Sequence, residues 1–334
     1  MPLFDLAINL LIFLFWCIVL AFSAHVLIKA LTKIASFLAF TEFVVCFIIM
    51  GVATSLPELS VGIGSALKEN TALALGTVIG SNIINLTLVV GVVALLIRGI
   101  RVESKTIRSD AIYMFIIAAL PLALMLIDLL FTEKVMISRF DGCILLFVFF
   151  LYILKQIQKR KEYIQKFVHD VSITDFTDFI ISIILSLLGL SLLFISADFV
   201  VNYGTLLSAE LILPSILIGL FMVSFGTSLP ELSLELRMIL TGRREMALGN
   251  LIGSVVANST LVLGFTALIY PIRADFLLLI TSGFFMLLVA FLFMTFIESE
   301  RTISWQEGLS LILLYILFVI IEFIIESLRH SITI

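Results

Sequence analysis

The sequence has little charge. Only 13% of its 334 residues are Asp, Glu, Lys or Arg, whereas 62% are hydrophobic. Because soluble globular domains carry about 25% charged residues, this composition excludes the soluble classes. A bilayer-spanning helix needs roughly 20 apolar residues, so the apolar side chains suffice for on the order of ten spans. The sequence therefore predicts an all-α integral membrane protein.

Cysteine and histidine are also scarce, with three residues of each type. Cys17, Cys46 and Cys143 all lie in apolar runs, which is typical of small core residues and excludes a disulfide framework or a zinc site. A soft metal would need thiolate or imidazole ligands. We expect no resident cofactor. The first apolar run has no basic leader, so we interpret it as a retained helix.

Ten apolar stretches divide the chain into two halves of five spans. Residues 1–154 form the first half, residues 155–175 a short basic loop, and residues 176–334 the second half. The predicted spans are 6–32, 42–67, 72–97, 111–131, 136–155, 176–202, 213–240, 246–271, 274–296 and 304–327.

The positive charges predict the orientation. With both termini outside, fourteen Lys and Arg residues fall in cytoplasmic segments and five in outer ones, while Arg237 lies inside a span. This bias follows the positive-inside rule. We expect a multi-pass protein of the plasma (cell) membrane with both termini extracytoplasmic.

The two halves are related by a sequence repeat. The segment T-S-L-P-E-L-S occurs at residues 54–60 and again 173 residues later, at 227–233. The same offset superimposes Ile79-Gly80-Ser81 on Ile252-Gly253-Ser254, and Asn85 on Asn258. Because each half has an odd number of spans, the second copy must enter the membrane in the opposite direction. Inverted repeats with a site at the midplane are typical of secondary transporters.

Each T-S-L-P-E motif predicts a broken helix within a span. Proline removes a backbone donor, and the Ser-x-x-Glu patterns at 55–58 and 228–231 fit a capping box for a helix restart. Irregular backbone at membrane depth is tolerated only where it is buried or lines a cavity. The carbonyls of Thr54 and Thr227 are therefore candidate ligands.

Glu58 and Glu231 are the strongest functional indicators. A carboxylate at the bilayer centre costs at least about 2.5 to 3.5 kcal/mol and usually marks an ion or proton path. No Lys or Arg occupies a repeated position in these spans. Oxygen ligands of this kind suit hard cations such as Ca²⁺ or Na⁺. The other repeated oxygen ligands are Ser55, Ser228, Ser81, Ser254, Asn85 and Asn258.

Three polar residues depart from the repeat. Glu235 lies one turn beyond Glu231, where the first copy has Gly62, so it is an accessory candidate that would extend the cation path toward the cytoplasm. It could equally pair with a neighbour. His25 and Asp198, on the first helix of each half, fit tethers or gate contacts better than ion ligands.

Structural roles remain open for several of these residues. Ser and Thr often bond to their own backbone in membrane helices, and Asn85 and Asn258 could hold helices together. The G-x-x-x-G pairs at 76–80 and 249–253 are typical of close helix packing.

At residues 43–91 and 216–264 the chain closely resembles the sodium/calcium exchanger branch of the cation/calcium exchanger superfamily, most of all its compact prokaryotic members. The motifs that carry the resemblance, G-T-S-L-P-E and L-G-N-x-I-G-S, appear almost unaltered in these two alpha-repeats. In the first copy Ala53 replaces the glycine, and Thr77 stands where the second copy has Asn250. The resemblance implies ten helices in two inverted halves and Na⁺-driven Ca²⁺ extrusion by alternating access. It also implies that the first helix of each half slides against the rest of the bundle.

The resemblance further implies roles for single residues. Glu58 and Glu231 would hold Ca²⁺ with the carbonyls of Thr54 and Thr227. The flanking Na⁺ sites would draw on Ser55, Ser228, Ser81, Ser254, Asn85 and Asn258. At Asn258 this chain departs from the family, where Asp is common, and the departure leaves the choice between Na⁺ and H⁺ open.

Three other functions fit the sequence less well. A Ca²⁺/H⁺ antiporter would use the same glutamates, but the signature of that branch is absent. A cation channel could use paired carboxylates as a filter, although inverted halves with broken helices favour a carrier. An intramembrane hydrolase lacks a repeated histidine or lysine base and a His-Glu-x-x-His motif. We therefore expect a secondary transporter and no enzyme.

Overall fold

The computed structural model describes residues 3–37, 51–102, 105–158, 176–299 and 302–332. Within these ranges the chain is almost entirely helical, and nine helices are long and apolar enough to cross a bilayer. The helices are α1 Leu3–Phe37, α2 Gly51–Thr54, α3 Leu56–Leu67, α4 Thr71–Ile84, α5 Val90–Leu96, α6 Lys105–Thr132, α7 Arg139–Gln158, α8 Phe176–Leu211, α9 Ser215–Leu217, α10 Ser224–Leu240, α11 Arg244–Ala257, α12 Leu263–Ile269, α13 Phe276–Ser299 and α14 Trp305–Ile332.

The described helices confirm a multi-pass membrane protein. Nine predicted spans coincide with long helices. The tenth, 42–67, is described only from Gly51 onward, as α2 and α3, so its full length stays a prediction. The predicted loop 155–175 lies outside the described residues from 159 onward, and α7 continues to Gln158.

The two T-S-L-P-E motifs differ in structure. In the first copy, α2 ends at Thr54 and α3 begins at Leu56, so the expected interruption is present. In the second copy, α10 runs without a break through Pro230. The distortion there lies upstream, in a π-helical turn over Ile218–Val223.

The expected capping box at the first motif is not formed. The Ser55 side chain makes no cap bond, and its hydroxyl instead donates to the Gly51 carbonyl at 3.3 Å. Glu58 turns away from the helix start and accepts a bond from Ser81. The second motif lies inside a continuous helix and has no start to cap. The capping-box prediction is therefore wrong, because both glutamates are turned toward the protein interior.

True capping boxes begin the fifth helix of each half. Ser138 N–H donates to Asp141 Oδ2 at 2.8 Å, and Asp141 N–H donates back to Ser138 Oγ at 3.2 Å. Ser304 and Glu307 repeat this arrangement 166 residues later, with distances of 2.7 and 3.3 Å. The duplication therefore extends to α7 and α14. Their offset is 166 residues, whereas that of the central motifs is 173.

Short strands from each half pair with the other half. Ile100–Arg101 is antiparallel to Thr302–Ile303, and Met136–Ile137 is antiparallel to Ile272–Arg273. The dipeptide Ile-Arg occurs in corresponding strands, at 100–101 and 272–273. The two halves are thus interleaved rather than placed side by side.

The fifth helices cross over in the same way. α14 packs on α5, and α7 packs on α12. A Cβ atom at Gly91 would lie 2.6 Å from the Gly308 carbonyl oxygen, and one at Gly142 would lie 2.9 Å from that of Gly264. Glycines at these crossings allow the backbones to approach closely.

The first helices of the two halves, α1 and α8, pack against each other along much of their length. Trp16 and Phe199 stack with ring centroids 4.1 Å apart. Asp198 on α8 forms an ion pair with Lys68 after α3, as a tether would, whereas His25 on α1 is exposed.

Gly76 allows α4 to cross the second half closely. A Cβ atom there would overlap the Ile216 carbonyl oxygen. We expect Gly76→Ala to lower the free energy of unfolding by about 1 to 3 kcal/mol, as overpacking does. The measurement is thermal melting of the purified protein in detergent. Gly64→Ala is the control, because its Cβ would lie an ordinary 3.5 Å from Val201. Equal melting temperatures for the two variants would contradict the close crossing.

Candidate cation-binding site

The two repeat glutamates lie in equivalent surroundings. Glu58 on α3 and Glu231 on α10 are 1% and 2% exposed. Ser81 Oγ donates to Glu58 Oε1 at 3.0 Å, and Ser254 Oγ donates to Glu231 Oε1. The carboxylates are close enough to interact electrostatically. The structure therefore brings together the two residues that the repeat singled out.

Hydrogen bonds connect the two halves at this point. Asn85 Nδ2 donates to Glu231 Oε2 at 2.9 Å. The hydroxyls of Ser81 and Thr227 lie 3.1 Å apart, and those of Ser55 and Ser254 lie 3.4 Å apart. Each carboxylate is thus held by residues of both repeats, directly or through one hydroxyl.

The threonine hydroxyls of the two motifs bond to carbonyls of their own segments, and the Thr227 hydroxyl also lies near that of Ser81. Thr54 Oγ1 donates to the Gly51 carbonyl and Thr227 Oγ1 to the Ser224 carbonyl, both at 3.2 Å. Both threonines are fully buried. The main-chain carbonyl of Thr54 lies at the break between α2 and α3, whereas that of Thr227 lies inside the continuous helix α10. Ser228 is buried three residues before Glu231, and its hydroxyl faces that carboxylate.

Asn258 breaks the symmetry of the site. By the repeat it should bond to Glu58, as Asn85 bonds to Glu231. Instead its amide donates to Asn82 Oδ1 at 3.2 Å. Glu58 Oε2 has no hydrogen-bond partner in the described part of the chain. The structure thus places Asn258 beside the cluster without direct contact to either carboxylate.

The sequence reasoning missed Asn82 and Ser259. Asn82 Nδ2 donates to Ser259 Oγ at 3.0 Å, and both residues are buried. Neither is repeated, because Val255 and Leu86 occupy the equivalent positions. The one signal in the sequence is the position of Asn82 itself, a polar side chain directly after Ser81 in an apolar span.

Glu235 adds a third buried carboxylate on one side of the cluster. It is 2% exposed and accepts a bond from Asn250 Nδ2 at 2.8 Å. The first repeat has Gly62 and Thr77 at these positions. A Cβ atom at Gly62 would lie 2.5 Å from the Thr266 hydroxyl, so the first half has no room for the equivalent side chain.

The cluster offers oxygen atoms without basic partners. Within the described ranges, the ion pairs do not include Glu58, Glu231 or Glu235. The buried oxygens Asn85 Oδ1 and Asn258 Oδ1 accept no hydrogen bond there. The described residues contain no group of three or more His, Cys, Asp or Glu that could hold a metal ion. Hydroxyl, amide and carbonyl oxygens would therefore have to complete the coordination of a hard cation.

Interleaved helical halves around buried, unpaired carboxylates define an inverted-repeat membrane transporter. Residues 8–158 and 181–324 match the family described as sodium/calcium exchanger protein. The chain belongs to this family, and hence to the transporters rather than the enzymes.

Relatives of this chain include proteins from bacteria and archaea. Sodium/calcium exchanger MaX1 of Methanosarcina acetivorans is 26% identical over 96% of this chain and 100% of its own. Putative antiporter CaxA of Alkalimonas amylolytica is 30% identical over 76% and 78%. Inner membrane protein YrbG of Escherichia coli is 28% identical over 83% and 84%.

A solved structure of the sodium-calcium exchanger NCX_Mj, soaked with Na⁺ and without Ca²⁺, superimposes on this chain with a TM-score of 0.63. The two share 23% sequence identity over 94% of this chain and 98% of the other. At this identity the similarity demonstrates a common fold.

The asymmetry at Asn258 can be tested by Asn258→Asp. We expect the additional buried carboxylate to lower the melting temperature in Na⁺-free buffer, because an unpaired charge is costly there. Added NaCl should raise that temperature more than in the wild type, since a bound cation stabilises the folded state. Thermal melting in detergent is the measurement. Gln158→Glu, at an exposed position, is the control. An equal response to NaCl in both variants would contradict a cation position next to Asn258.

Proposed function

We propose that this protein is a secondary active antiporter that exchanges Ca²⁺ for Na⁺ by alternating access at a midplane site. The observation that carries the proposal is the network joining Glu58 and Glu231 across the two halves. Membership of the sodium/calcium exchanger family and the name of the MaX1 relative support the choice of ions.

The charges of the site suit an exchange of these cations. Two carboxylates neutralise either one Ca²⁺ or two Na⁺, so the same site can be satisfied by either cargo. Without a cation, two buried carboxylates would remain uncompensated, which is costly. An ion-loaded site can therefore reorient, whereas an ion-free site is held back, and this difference couples the two fluxes.

Each residue of the network has a proposed role. Ca²⁺ binds Glu58 and Glu231 and the carbonyls of Thr54 and Thr227. Glu58 Oε2 is a suitable ligand because it accepts no hydrogen bond from described residues. Na⁺ binds oxygens of the surrounding polar side chains, which are Ser55, Ser228, Ser81, Ser254, Asn85 and Asn258.

The helix pair α1 and α8 is the proposed moving part. Asn9 Nδ2 on α1 donates to Glu210 Oε1 on α8 at 2.7 Å, and Trp16 stacks on Phe199. These contacts tie the two helices to each other, which favours their movement as one unit. Their packing on the remaining bundle includes apolar contacts and the polar contacts of Lys68 with Asp198 and of Asn70 with Thr205, which sliding would have to break.

We further propose that the protein resides in the plasma (cell) membrane with both termini outside. The distribution of fourteen basic residues against five supports this orientation.

A Ca²⁺/H⁺ antiporter is the second candidate, and Glu235 is the observation that favours it. This buried carboxylate lies next to the central pair and has no counterpart in the first half. Asn258 in place of the common Asp also removes one group that the Na⁺ sites of the family would use.

The two candidates predict different driving ions for proteoliposomes that contain the purified protein. We expect ⁴⁵Ca²⁺ uptake under an outward Na⁺ gradient, and none above background under an equal K⁺ or pH gradient. Glu58→Gln should abolish the uptake, because it halves the central charge. Glu69→Gln is the control, since it makes the same change at an exposed turn. Uptake driven only by the pH gradient would replace the first candidate with the second.

Glu235 should affect ions that arrive from one side only. We expect Glu235→Gln to lower the apparent Ca²⁺ affinity by roughly threefold to tenfold, equivalent to about 1 kcal/mol, on the side where residues 241–243 lie. The apparent Ca²⁺ affinity on the opposite side should be unchanged, because Gly62, the equivalent residue of the first half, has no carboxylate. Transport assayed from each side of oriented vesicles tests this, with Asn250→Thr as the matched change in the partner residue. Equal shifts on both sides would exclude Glu235 as a one-sided accessory.

A further inference from the structure

Asn82, near the end of α4, contacts the second half through both ends of its side-chain amide. Its Nδ2 donates to Ser259 Oγ at 3.0 Å and to Met286 Sδ at 3.6 Å. Its Oδ1 accepts a hydrogen bond from Asn258 Nδ2 at 3.2 Å. All four residues are buried. Asn82 therefore connects Asn258 to two fixed groups on its other side.

These contacts allow one orientation of the Asn82 amide. A thioether sulfur accepts hydrogen bonds but cannot donate them. Turning the amide over would place Asn82 Oδ1 against Met286 Sδ, so two acceptors would face each other without a hydrogen between them. The oxygen of Asn82 is therefore the atom that faces Asn258.

Asn82 in turn fixes the orientation of the Asn258 amide. Because Asn82 presents an acceptor, Asn258 has to present its N–H group there, and its own Oδ1 is turned away. That oxygen is buried and has no hydrogen-bond partner in the described part of the chain. A buried polar atom without a partner is costly. A cation that binds this oxygen would compensate the cost.

Asn85 presents its oxygen in the same way with a different partner. Asn85 and Asn258 each begin a π-helical turn, at Asn85–Val89 and Asn258–Val262. The N–H group of Asn85 is bonded to Glu231, and Asn85 Oδ1 also has no partner among the described residues. In both halves the N–H group of the amide is thus engaged and the carbonyl oxygen is left over.

The repeat would give Asn258 a different partner, the Glu58 carboxylate. A bond between these two residues would occupy one carboxylate oxygen. Because Asn82 takes the N–H group instead, Glu58 Oε2 and Asn258 Oδ1 both lack a partner within the described ranges. The observed arrangement therefore leaves two oxygens available where the symmetric one would leave one.

We propose that Asn82 is a positioning residue, which turns the Asn258 amide so that its carbonyl oxygen serves as a Na⁺ ligand. A carboxylate offers an oxygen in either orientation, whereas a neutral amide does so only when its N–H group is held elsewhere. The inference rests on the proposed exchange. It concerns Na⁺ alone, because the proposed Ca²⁺ ligands do not include Asn258.

The test is the Na⁺ dependence of ⁴⁵Ca²⁺ uptake into proteoliposomes that contain the full-length protein. The variant is Asn82→Val, because the fold already accepts Val255 at the equivalent buried position. We expect the half-saturating Na⁺ concentration to rise about fivefold, the effect of one lost contact of roughly 1 kcal/mol. The half-saturating Ca²⁺ concentration should be unchanged.

Thr87→Val is the matched control for this uptake experiment. It also removes a buried polar group from the same span, but the Thr87 hydroxyl donates to the Ile83 carbonyl of its own segment. We expect both half-saturating concentrations to match those of the wild type. An unchanged Na⁺ value in Asn82→Val would overturn the role of Asn82. A Ca²⁺ value raised by the same factor as the Na⁺ value would overturn it as well.

A second comparison separates orientation from packing. With Asn258→Asp present, an oxygen is offered whichever way the side chain turns, so adding Asn82→Val should not diminish the rise in melting temperature that NaCl causes in detergent. In the wild-type background, Asn82→Val should diminish that rise. Equal reductions in both backgrounds would indicate packing alone and overturn the inference. If Asn82→Val does not fold, Asn82→Ala makes the same predictions.

The wild type distinguishes this inference from the proposed exchange. Absence of Na⁺-driven uptake by the wild type would contradict the exchange itself, and the inference with it. Na⁺-driven uptake by the wild type, together with an unchanged Na⁺ dependence in Asn82→Val, would contradict the role of Asn82 alone.

Discussion

The burial of Glu58 and Glu231 without a basic partner is the constraint on which the rest of the structure depends. Two carboxylates at 1% and 2% exposure inside an apolar bundle need compensation from their surroundings. Hydroxyl and amide donors supply part of it, and these donors come from both halves of the chain. The polar cluster therefore holds the halves together only to the extent that its negative charge is balanced. In the proposed exchange a cation completes this balance, and ion binding is thereby linked to the contact between the halves.

The interleaving of the halves gives the cluster a rigid frame. Strands and fifth helices from each half pack on the other half, and glycines at the crossings bring the backbones close. By contrast, α1 and α8 lie mainly against each other. An interleaved bundle with a helix pair at its side fits the alternating access that we propose. Glu235 lies on one side of the cluster, and its equivalent in the first half is Gly62. The two sides of the cluster therefore differ chemically.

Much of this architecture could be predicted from the sequence. The apolar runs predicted nine spans correctly, because a helix of about 20 apolar residues is stable chiefly within a bilayer. The repeat identified Glu58 and Glu231, and its glycine pair at 76–80 is indeed a site of close packing. Polar residues that recur at a constant offset can be recognised in the sequence, because such a recurrence rarely arises by chance.

The failures have physical reasons as well. The helix at Pro230 stays continuous, although the same motif in the first copy interrupts the helix, so the local residues alone do not decide the outcome. The partner of Asn258 depends on Asn82, a residue present in only one half. Ser55 and Glu58 have the spacing of a capping box. The Glu58 carboxylate nevertheless accepts a hydrogen bond from Ser81 in the protein interior, and Ser55 makes no cap bond.

The most direct test of the central claim is competition between Na⁺ and Ca²⁺ for the purified protein. Bound ⁴⁵Ca²⁺ is measured while NaCl replaces KCl at constant ionic strength. A site shared by one Ca²⁺ or two Na⁺ predicts full displacement by Na⁺ with a Hill coefficient above one, and no displacement by K⁺. Displacement by Na⁺ no greater than by K⁺ would contradict the account.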